Sequence, residues 1–297
     1  MFKTEKVSEK KVKIVKTKQE TKPIKGEDWF PTKYPNIFAL AKKNSGKTTV
    51  VSNILDRCSG KQTKFLFICS TIDKDPSWVK ITEKWSKTHD VGTFHDIMDE
   101  GTNVIQQFID DQKTEDSDDE ENPAPEGKPA PANHPLTVAD RIRMRMSGDS
   151  QKGGLAHSTT PSQLPQNTKE PTKKRKIIYP DYIIVCDDLG DSMRNKALTQ
   201  LLKTNRHYKT MVILSSQDLN DLLPAARKQL DYVLVFGRQS KEKIETLYDD
   251  LKLDIEFNDF WELYSDATSQ QYSFLYINRA SKEDEFRKGF TEKFVLQ

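Results

Sequence analysis

One short stretch of the sequence carries the residue types that bind a nucleoside triphosphate. Residues 41–48 read AKKNSGKT, in which a small residue is followed, after four positions, by Gly46, Lys47 and Thr48. Backbone N–H groups of such a loop converge on phosphates, the lysine reaches the β and γ oxygens, and the hydroxyl binds Mg²⁺. The stretch follows the apolar run NIFALA and precedes an amphipathic segment, which places it at a helix N-terminus. We therefore predict a P-loop that binds ATP and Mg²⁺.

The first position of this loop departs from the usual pattern, because Ala41 stands where a glycine is common. That position mainly shapes the turn, whereas a side chain at Gly46 would obstruct the approach of backbone to phosphate. We expect the alanine to weaken the match without abolishing the site; the alternative is an ordinary polar turn between a strand and a helix. The predicted nucleotide-binding residues are Ala41, Asn44, Ser45, Gly46, Lys47, Thr48 and Thr49.

Two adjacent carboxylates end a second apolar run, YIIVCDD. A P-loop enzyme needs an acidic residue on a neighbouring strand to hold Mg²⁺, and often a second carboxylate to activate water. Asp187 is the predicted metal ligand together with the Thr48 hydroxyl, and Asp188 is the predicted general base. The alternative is an acidic strand end that merely begins a loop.

Polar and basic residues flank the next apolar run, TMVILSSQ. Gln217 ends this run, where its amide could hydrogen-bond the γ phosphate or the attacking water and report hydrolysis to the domain. Arg206 precedes the run and Arg227 follows it, and either guanidinium could stabilise charge on the γ phosphate of a neighbouring subunit. Each arginine could equally be a surface residue of a helix, and we expect His207 to pack or cap.

Composition limits the class of protein. Of the 297 residues 35% are hydrophobic and 31% are charged, so a sizeable part of the chain should be solvated. The cysteines Cys58, Cys69 and Cys186 are odd in number, lack metal-type spacing and fall in apolar runs, which predicts reduced core thiols in an intracellular protein. An apolar run long enough to cross a bilayer is missing, and the N-terminus lacks the apolar core of a secretory signal, so we expect no stable membrane insertion.

The chain divides into an arm and one interrupted domain. Residues 1–29 are lysine-rich without a sustained period and are predicted to form a flexible basic arm. Residues 30–297 are predicted to form the P-loop ATPase domain. Within it, residues 113–174 are rich in Asp, Glu and Pro and poor in large apolar groups, which predicts a disordered insertion that separates two halves of one sheet.

Short apolar runs alternate with amphipathic segments on both sides of this insertion. Such alternation predicts an α/β fold with a mainly parallel sheet and right-handed crossovers. The predicted strands are NIFALA, KFLFIC, DYIIVCDD, TMVILSSQ and YVLVFG; the predicted helices are SGKTTVVSNILDRCS, SMRNKALTQLLKTNRH and DLNDLLPAARKQL. A last section, FNDFWELYSDATSQQYSFLYINRA, predicts an aromatic helix followed by a final strand.

The order of these motifs resembles a known family. The succession AKKNSGKTT, IIVCDDL and NRHYKTMVILSSQDLNDLLPAARKQLDYVLVF is similar to the poxvirus-type DNA-packaging ATPases of the FtsK–HerA superfamily, found in large DNA viruses, virophages and Polinton-like elements. The similarity covers residues 35–69 and 177–237 well and the ending YSFLYI loosely. It departs from the family at Ala41, where glycine is frequent, and at Asp188, where glutamate is frequent.

The resemblance implies a RecA-like P-loop NTPase in which an extra strand lies between the P-loop strand and the acidic strand. Such proteins act as homo-oligomeric rings around double-stranded DNA and pump the genome into a preformed capsid. Carried over, Lys47 and Thr48 fall on the phosphate and magnesium positions, Asp187 and Asp188 on the metal and water-activating positions, and Gln217 on the sensor. Arg206 best matches the arginine that acts in trans.

Three functions remain open at the level of sequence. The first is an ATP-hydrolysing translocase that packages viral DNA, with capsid proteins as further partners, in the host cytoplasm or nucleus or associated with the virion. The second is another P-loop NTPase, either a nucleotide kinase or a helicase-like protein. The third is a nucleotide-binding scaffold without turnover. For the first, DNA contact should be electrostatic and independent of sequence.

Overall fold

The computed structural model describes residues 22–118, 177–281 and 284–295. Within these ranges the backbone forms a nine-stranded sheet, a separate two-stranded sheet and helices on both faces of the large sheet. The strands are β1 (Asn36–Leu40), β2 (Lys64–Cys69), β3 (Val91–Phe94), β4 (Met98–Asp99), β5 (Thr102–Asn103), β6 (Tyr182–Asp187), β7 (Thr210–Ser216), β8 (Tyr232–Phe236), β9 (Phe274–Asn278), β10 (Glu285–Lys288) and β11 (Glu292–Lys293). The α-helices are α1 (Lys47–Cys58), α2 (Pro76–Ser86), α3 (Val104–Asp118), α4 (Lys196–Thr204), α5 (Pro224–Arg227), α6 (Lys241–Leu251) and α7 (Phe257–Ala267).

The central strands are apolar throughout because both faces of the sheet are covered. Alternate side chains of β1 enter two different buried clusters, with Phe38 on one face and Ile37 on the other. The Phe38 face packs against α3, α4, α6 and α7, and the Ile37 face packs against α1 and α2. Continuous apolar strands are typical of a parallel sheet that is buried on both sides. The predicted α/β fold with a mainly parallel sheet is confirmed.

The strand order is β11-β10-β9-β8-β1-β7-β6-β2-β3. Strands β8, β1, β7, β6, β2 and β3 run parallel to one another, so their carboxyl ends lie at one edge of the sheet. Strand β7 pairs with both β1 and β6 and therefore separates the strand before the P-loop from the strand with the carboxylates. This is the extra strand that the resemblance implied.

The direction of the sheet reverses at β9, which runs antiparallel to β8. Phe274, the first residue of β9, pairs with Phe236, the last residue of β8. The loop between α7 and β9 is therefore placed at the carboxyl edge of the sheet, although it precedes its strand. This loop lies beside the P-loop.

Two predicted helices are shorter than the sequence indicated. The segment DLNDLLPAARKQL forms a 3₁₀ turn at Leu219–Asp221 and the four-residue α5, because Pro224 holds Leu223 in an extended conformation and begins a new helix. In SMRNKALTQLLKTNRH the helix proper begins only at Lys196, after the 3₁₀ turn Gly190–Met193. The Asn195 side chain caps α4 by accepting a hydrogen bond from the Ala197 N–H at 2.8 Å.

The boundaries of the arm and the insertion also differ from the sequence interpretation. Residues 22–29 contact the domain, since Ile24 forms a β-bridge with Ile178 and the Trp29 ring stacks on Phe290 at 3.9 Å. Helix α3 continues to Asp118 and so enters the predicted insertion, 113–174. The rest of the insertion and residues 1–21 lie outside the described residues. In the described part of the chain, every helix is too short or too polar to span a membrane.

Candidate nucleotide-binding site

The loop between β1 and α1 explains why alanine is accommodated at position 41. The Ala41 N–H donates to Ser216 O at 2.9 Å, which continues the pairing of β1 with β7, and the side chain is fully buried. Ala41 is not among the described residues with a positive φ. A glycine is therefore not required there by backbone conformation. Ala41 lies at the base of the loop, directly after β1, and does not line the cavity.

Gly46 is different because both its conformation and its surroundings require glycine. Its φ is +87°, in the left-handed region. A Cβ atom at this position would lie 3.2 Å from Cδ1 and 3.3 Å from Cβ of Tyr272. Gly46 is the N-cap of α1, and no side chain caps that helix, so its first N–H groups can receive an anion. Asn44, with a φ of 59°, completes the turn.

The structure brings the P-loop lysine to the two carboxylates that lie far downstream in the sequence. Lys47 Nζ is 3.0 Å from Asp187 Oδ1 and 3.8 Å from Asp188 Oδ1. Asp187 is the last residue of β6 and Asp188 follows it, and β6 is two strands away from β1 in the sheet. The shared carboxyl edge of parallel strands thus assembles the predicted site.

Asp187 is buried and held by a residue that sequence reasoning missed. Trp78 Nε1, on α2, donates a hydrogen bond of 2.7 Å to Asp187 Oδ2, and both side chains are almost completely buried. The other oxygen, Oδ1, forms the ion pair with Lys47 but accepts no well-aligned hydrogen bond from the described residues. Trp78 is separated from Asp187 by 109 positions, so no local pattern connects them.

Asp188 adopts a strained backbone conformation at the mouth of the site. Its φ is 55°, which is uncommon for a residue other than glycine. The Asp188 N–H donates to Ser215 O at 3.0 Å, and Ser70 Oγ donates to Asp188 O at 3.2 Å. Gln217 Nε2 donates to Asp188 Oδ1 at 3.2 Å. The predicted base and the predicted sensor therefore contact each other directly.

The P-loop lysine and the two carboxylates line one cavity of about 690 Å³. It is lined by the loop and helix start at 43–49, by Asp187 and Asp188, and by Tyr272. Hydroxyl and carboxylate oxygens are the ligands that Mg²⁺ prefers. The Thr48 hydroxyl and the Asp187 Oδ1 atom, which is paired with the Lys47 ammonium group but accepts no well-aligned hydrogen bond from the described residues, fit such an ion.

The two candidate arginines lie in different places. Arg206 precedes β7 and is at the amino edge of the sheet, where its Nη2 contacts Asp231 Oδ1 at 2.8 Å. The seven residues of β7 separate it from the P-loop edge by roughly 20 Å. His207 is exposed at the same amino edge. Within one chain, then, Arg206 and His207 do not reach the cavity.

Arg227 lies nearer to the carboxyl edge but is bound to neighbouring groups. Its guanidinium donates to Leu222 O at 3.0 Å, to Asp250 Oδ2 at 2.5 Å and to Asn220 Oδ1 at 2.8 Å. The side chain is only 10% exposed. These contacts favour a structural role in the loop after β7.

The cysteines are free and buried, as the sequence predicted. Burial raises the pKa of the Cys58 and Cys186 thiols to about 12 and that of Cys69 to about 11. Cys69 lies beside the site, with its Sγ 4.0 Å from Asp187 Oδ2. At neutral pH all three are protonated thiols and poor nucleophiles.

A family model described as "Poxvirus A32 protein" matches residues 159–282. The resemblance to the poxvirus-type family is confirmed. The A32-like region contains both carboxylates, Arg206, Gln217 and the loop with Tyr272, whereas the P-loop lies outside it.

Two viral proteins are each 25% identical to part of this chain. The uncharacterized protein 075L of Invertebrate iridescent virus 6 is 25% identical over 105 residues, which is 34% of this chain and 41% of that protein. The uncharacterized protein 088R of Invertebrate iridescent virus 3 is 25% identical over 122 residues, which is 40% of this chain and 47% of that protein. The chain thus spans less than half the length of these relatives.

Two of the solved structures that match this chain come from a virus and from a bacterium. The genome packaging NTPase B204 from Sulfolobus turreted icosahedral virus 2, in complex with ATP-gammaS, is 14% identical with a TM-score of 0.46, over 89% of this chain and 98% of that chain. The cytoplasmic domain of the Thermomonospora curvata Type VII secretion ATPase EccC is 12% identical with a TM-score of 0.48, over 87% of this chain and 27% of that chain.

Proposed function

We propose that this chain hydrolyses ATP to move double-stranded DNA, and that it packages viral DNA into a capsid. The observation that carries the ATPase part is the meeting of Lys47 with Asp187 and Asp188 at one cavity, at 3.0 and 3.8 Å. A phosphate-binding loop, a metal carboxylate and a second carboxylate are the parts that phosphoryl transfer to water requires. The DNA part rests on the resemblance to the poxvirus-type packaging ATPases.

Nucleotide binding begins with a change of partner for Lys47. Its ammonium group leaves the Asp187 carboxylate and moves to the β and γ phosphate oxygens, while the N–H groups at the start of α1 bind the phosphates. The freed Asp187 Oδ1 and the Thr48 hydroxyl would hold Mg²⁺, which when bound would supply positive charge against the developing charge of the γ phosphate. Trp78 keeps Asp187 in position through the hydrogen bond to Oδ2.

Hydrolysis uses Asp188, which lines the cavity, and Gln217, which contacts Asp188. The Asp188 carboxylate accepts a proton from the attacking water, and the Gln217 amide, 3.2 Å from Asp188 Oδ1, orients that water or the carboxylate. The main-chain carbonyl of Gln217 accepts a hydrogen bond of 2.8 Å from Lys243 Nζ, on α6. A change at the γ phosphate can therefore be transmitted through Gln217 to that helix.

The position of Arg206 supports a ring arrangement. A guanidinium roughly 20 Å from its own P-loop edge can serve only the nucleotide of another subunit. We propose a homo-oligomeric ring in which Arg206 stabilises the transition-state charge in trans, with Arg227 holding the loop after β7 in place. Double-stranded DNA and capsid proteins are the proposed partners, inside the infected cell or at the virion.

The test is the ATPase rate of the full chain with and without duplex DNA. Lys47→Ala should lose roughly 10²–10³-fold in rate, the loss typical of removing one charge-stabilising donor. Lys42→Ala is the matched control, since Lys42 is exposed and does not line the cavity. A rate that DNA leaves unchanged would favour another kind of P-loop NTPase, and ATP binding without turnover would favour a scaffold.

A further inference from the structure

A second cavity of about 420 Å³ lies beside the phosphate cavity. It is lined by the loop after β8, which contains Arg238, by the loop before β9, which contains Gln270, and by two P-loop residues, Asn44 and Ser45. Asn44, Ser45 and Tyr272 line both cavities. The two spaces are therefore adjacent, with these three residues between them.

The sheet order indicates which end of a nucleotide would reach this second cavity. Strand β1, which leads into the P-loop, has β7 and then β6 on one side and β8 and then β9 on the other. The groups that act on a γ phosphate, Asp188 and Gln217, follow β6 and β7. A nucleotide with its γ phosphate on that side directs its nucleoside toward β8 and β9, where the second cavity lies.

Tyr272 has an unusual conformation for an exposed aromatic residue. It is 60% exposed, and its φ is 66°, a conformation that is costly for a bulky side chain. Its side chain lies against the face of Gly46. Strain of this kind persists where a function retains it, and a large planar ring beside an anion-binding loop is suited to stacking on a base.

Ser45 supplies a second and independent observation. The residue is only 8% exposed, and its Oγ atom is buried without a hydrogen-bond partner among the described residues. Because buried hydroxyl groups are normally paired, an unpaired one at the junction of two cavities indicates a missing polar partner. A ribose hydroxyl or the α phosphate would supply it.

We propose that the second cavity binds the nucleoside of the nucleotide, with the Tyr272 ring stacked on the base and Ser45 Oγ bonded to the ribose or the α phosphate. The proposal rests on the proposed ATPase function and adds the residues that hold the part of the nucleotide outside the P-loop. Stacking on one ring tolerates any base, so a preference for one base would have to come from polar groups of the same cavity, such as the Gln270 amide.

The test compares two ligands on the full chain, ATP and inorganic tripolyphosphate, each with Mg²⁺, by calorimetric titration. Tyr272→Ala should lower the affinity for ATP about 10-fold, as expected for loss of one base–aromatic stack. It should leave the affinity for tripolyphosphate unchanged, and Tyr272→Phe should retain the affinity for ATP. Tyr272→Gly, which adopts the left-handed conformation without strain, should keep the melting temperature while losing ATP affinity to the same extent as alanine.

Each other outcome has a definite meaning. Equal losses for ATP and tripolyphosphate would overturn the proposal and show that Tyr272 acts only through the P-loop at Gly46. An ATP affinity unchanged in Tyr272→Ala and Tyr272→Gly would also overturn it. Failure of the unsubstituted chain to bind either ligand would instead contradict the proposed ATPase function, so the two ideas fail separately.

Discussion

The two edges of the parallel sheet differ in what they can do alone. The carboxyl edge brings together a phosphate loop, two carboxylates and a glutamine in one chain. The amino edge has a smaller cavity, about 260 Å³, lined by Lys203, Arg206, Lys228 and Arg279 around the carboxylate of Asp231. The carboxyl edge therefore has the groups that we propose bind a triphosphate, whereas the cavity at the amino edge is lined by four basic side chains and one carboxylate, that of Asp231.

The electrostatics of the amino edge centre on the Asp231 carboxylate. Burial raises the pKa of Asp231, although the carboxylate accepts hydrogen bonds from the Asn36 N–H at 2.9 Å and from Arg206 at 2.8 Å. Burial also lowers the pKa of Arg279, which donates to two backbone carbonyls. Arg206 itself is 59% exposed and Asp231 only 12%, so the ion pair joins an exposed guanidinium to a largely buried carboxylate, and binding of Arg206 to a phosphate would have to replace this contact.

The largest effect expected on hydrolysis is at the amino edge. Arg206→Ala should lower the ATPase rate of the assembled protein by roughly 10³-fold or more, because a trans-acting guanidinium stabilises the transition state. ATP affinity should be unchanged, as the residue lies far from its own P-loop. Lys203→Ala, which removes an exposed charge from the same cavity, is the control. A normal ATPase rate in Arg206→Ala would show that Arg206, at the amino edge, takes no part in hydrolysis.

At the carboxyl edge, Asp188→Asn should lower the hydrolysis rate by roughly 10²–10⁴-fold, the usual contribution of a general base. Nucleotide binding should persist, since Lys47 and Thr48 remain. Single-turnover hydrolysis measured beside ATP affinity separates the two steps. Asp191→Asn, at an exposed position of the same loop, should behave as the unsubstituted chain. If Asp188→Asn instead abolished binding and left the rate of bound ATP intact, Asp188 would not be the base.

A smaller effect is expected for Trp78, which contacts Asp187 but does not line the cavity. Trp78→Phe removes the donor to Asp187 Oδ2, and loss of such a supporting contact typically costs roughly 10–100-fold in metal affinity or activity. The Mg²⁺ dependence of the ATPase should shift to higher concentration. Trp85→Phe is the matched control, because Trp85 is buried on the same helix and its Nε1 has no hydrogen-bond partner among the described residues. Equal shifts in both variants would attribute the effect to packing alone.

The smallest effect concerns the first P-loop position. Ala41→Gly restores the frequent residue of the pattern, yet the backbone there needs no positive φ and the methyl group is buried. We expect no gain in ATP affinity and a loss of stability of about 0.5–1 kcal/mol from the added freedom of the unfolded chain. Thermal unfolding and ATP titration measure both. A clear rise in ATP affinity would show that Ala41 impairs phosphate binding by the P-loop.

The sequence predicted those parts of the site whose signals are local. The P-loop, the paired carboxylates and Gln217 each follow an apolar run, and the parallel sheet brings the ends of those runs to one edge. Trp78 and Tyr272 were not predicted from the sequence, because their contacts with the site depend on packing between distant segments. In particular, Tyr272 reaches the P-loop only because β9 reverses direction, which an apolar run such as FLYIN does not reveal.

Other features were missed for reasons of composition. The edge strands β10 and β11, EFRK and EK, are short and charged. Charged residues are typical of sheet edges that are protected from further pairing, but they do not form the apolar run by which a strand is predicted from sequence. The helix predicted after Gln217 was interrupted by Pro224, whose effect on Leu223 outweighed the apolar periodicity around it. Composition predicts that the insertion starts at residue 113, whereas helix α3 continues to Asp118.

The difference between the edges is tested most directly by mixing two inactive variants. Lys47→Ala lacks a working phosphate site but retains Arg206, and Arg206→Ala has the reverse defect. We expect each alone to be nearly inactive and the mixture to regain ATPase activity, because an intact carboxyl edge then meets an intact amino edge between unlike subunits. A mixture no more active than the sum of its components, under conditions where the two variants assemble together, would contradict the assignment of Arg206 to a neighbour's nucleotide.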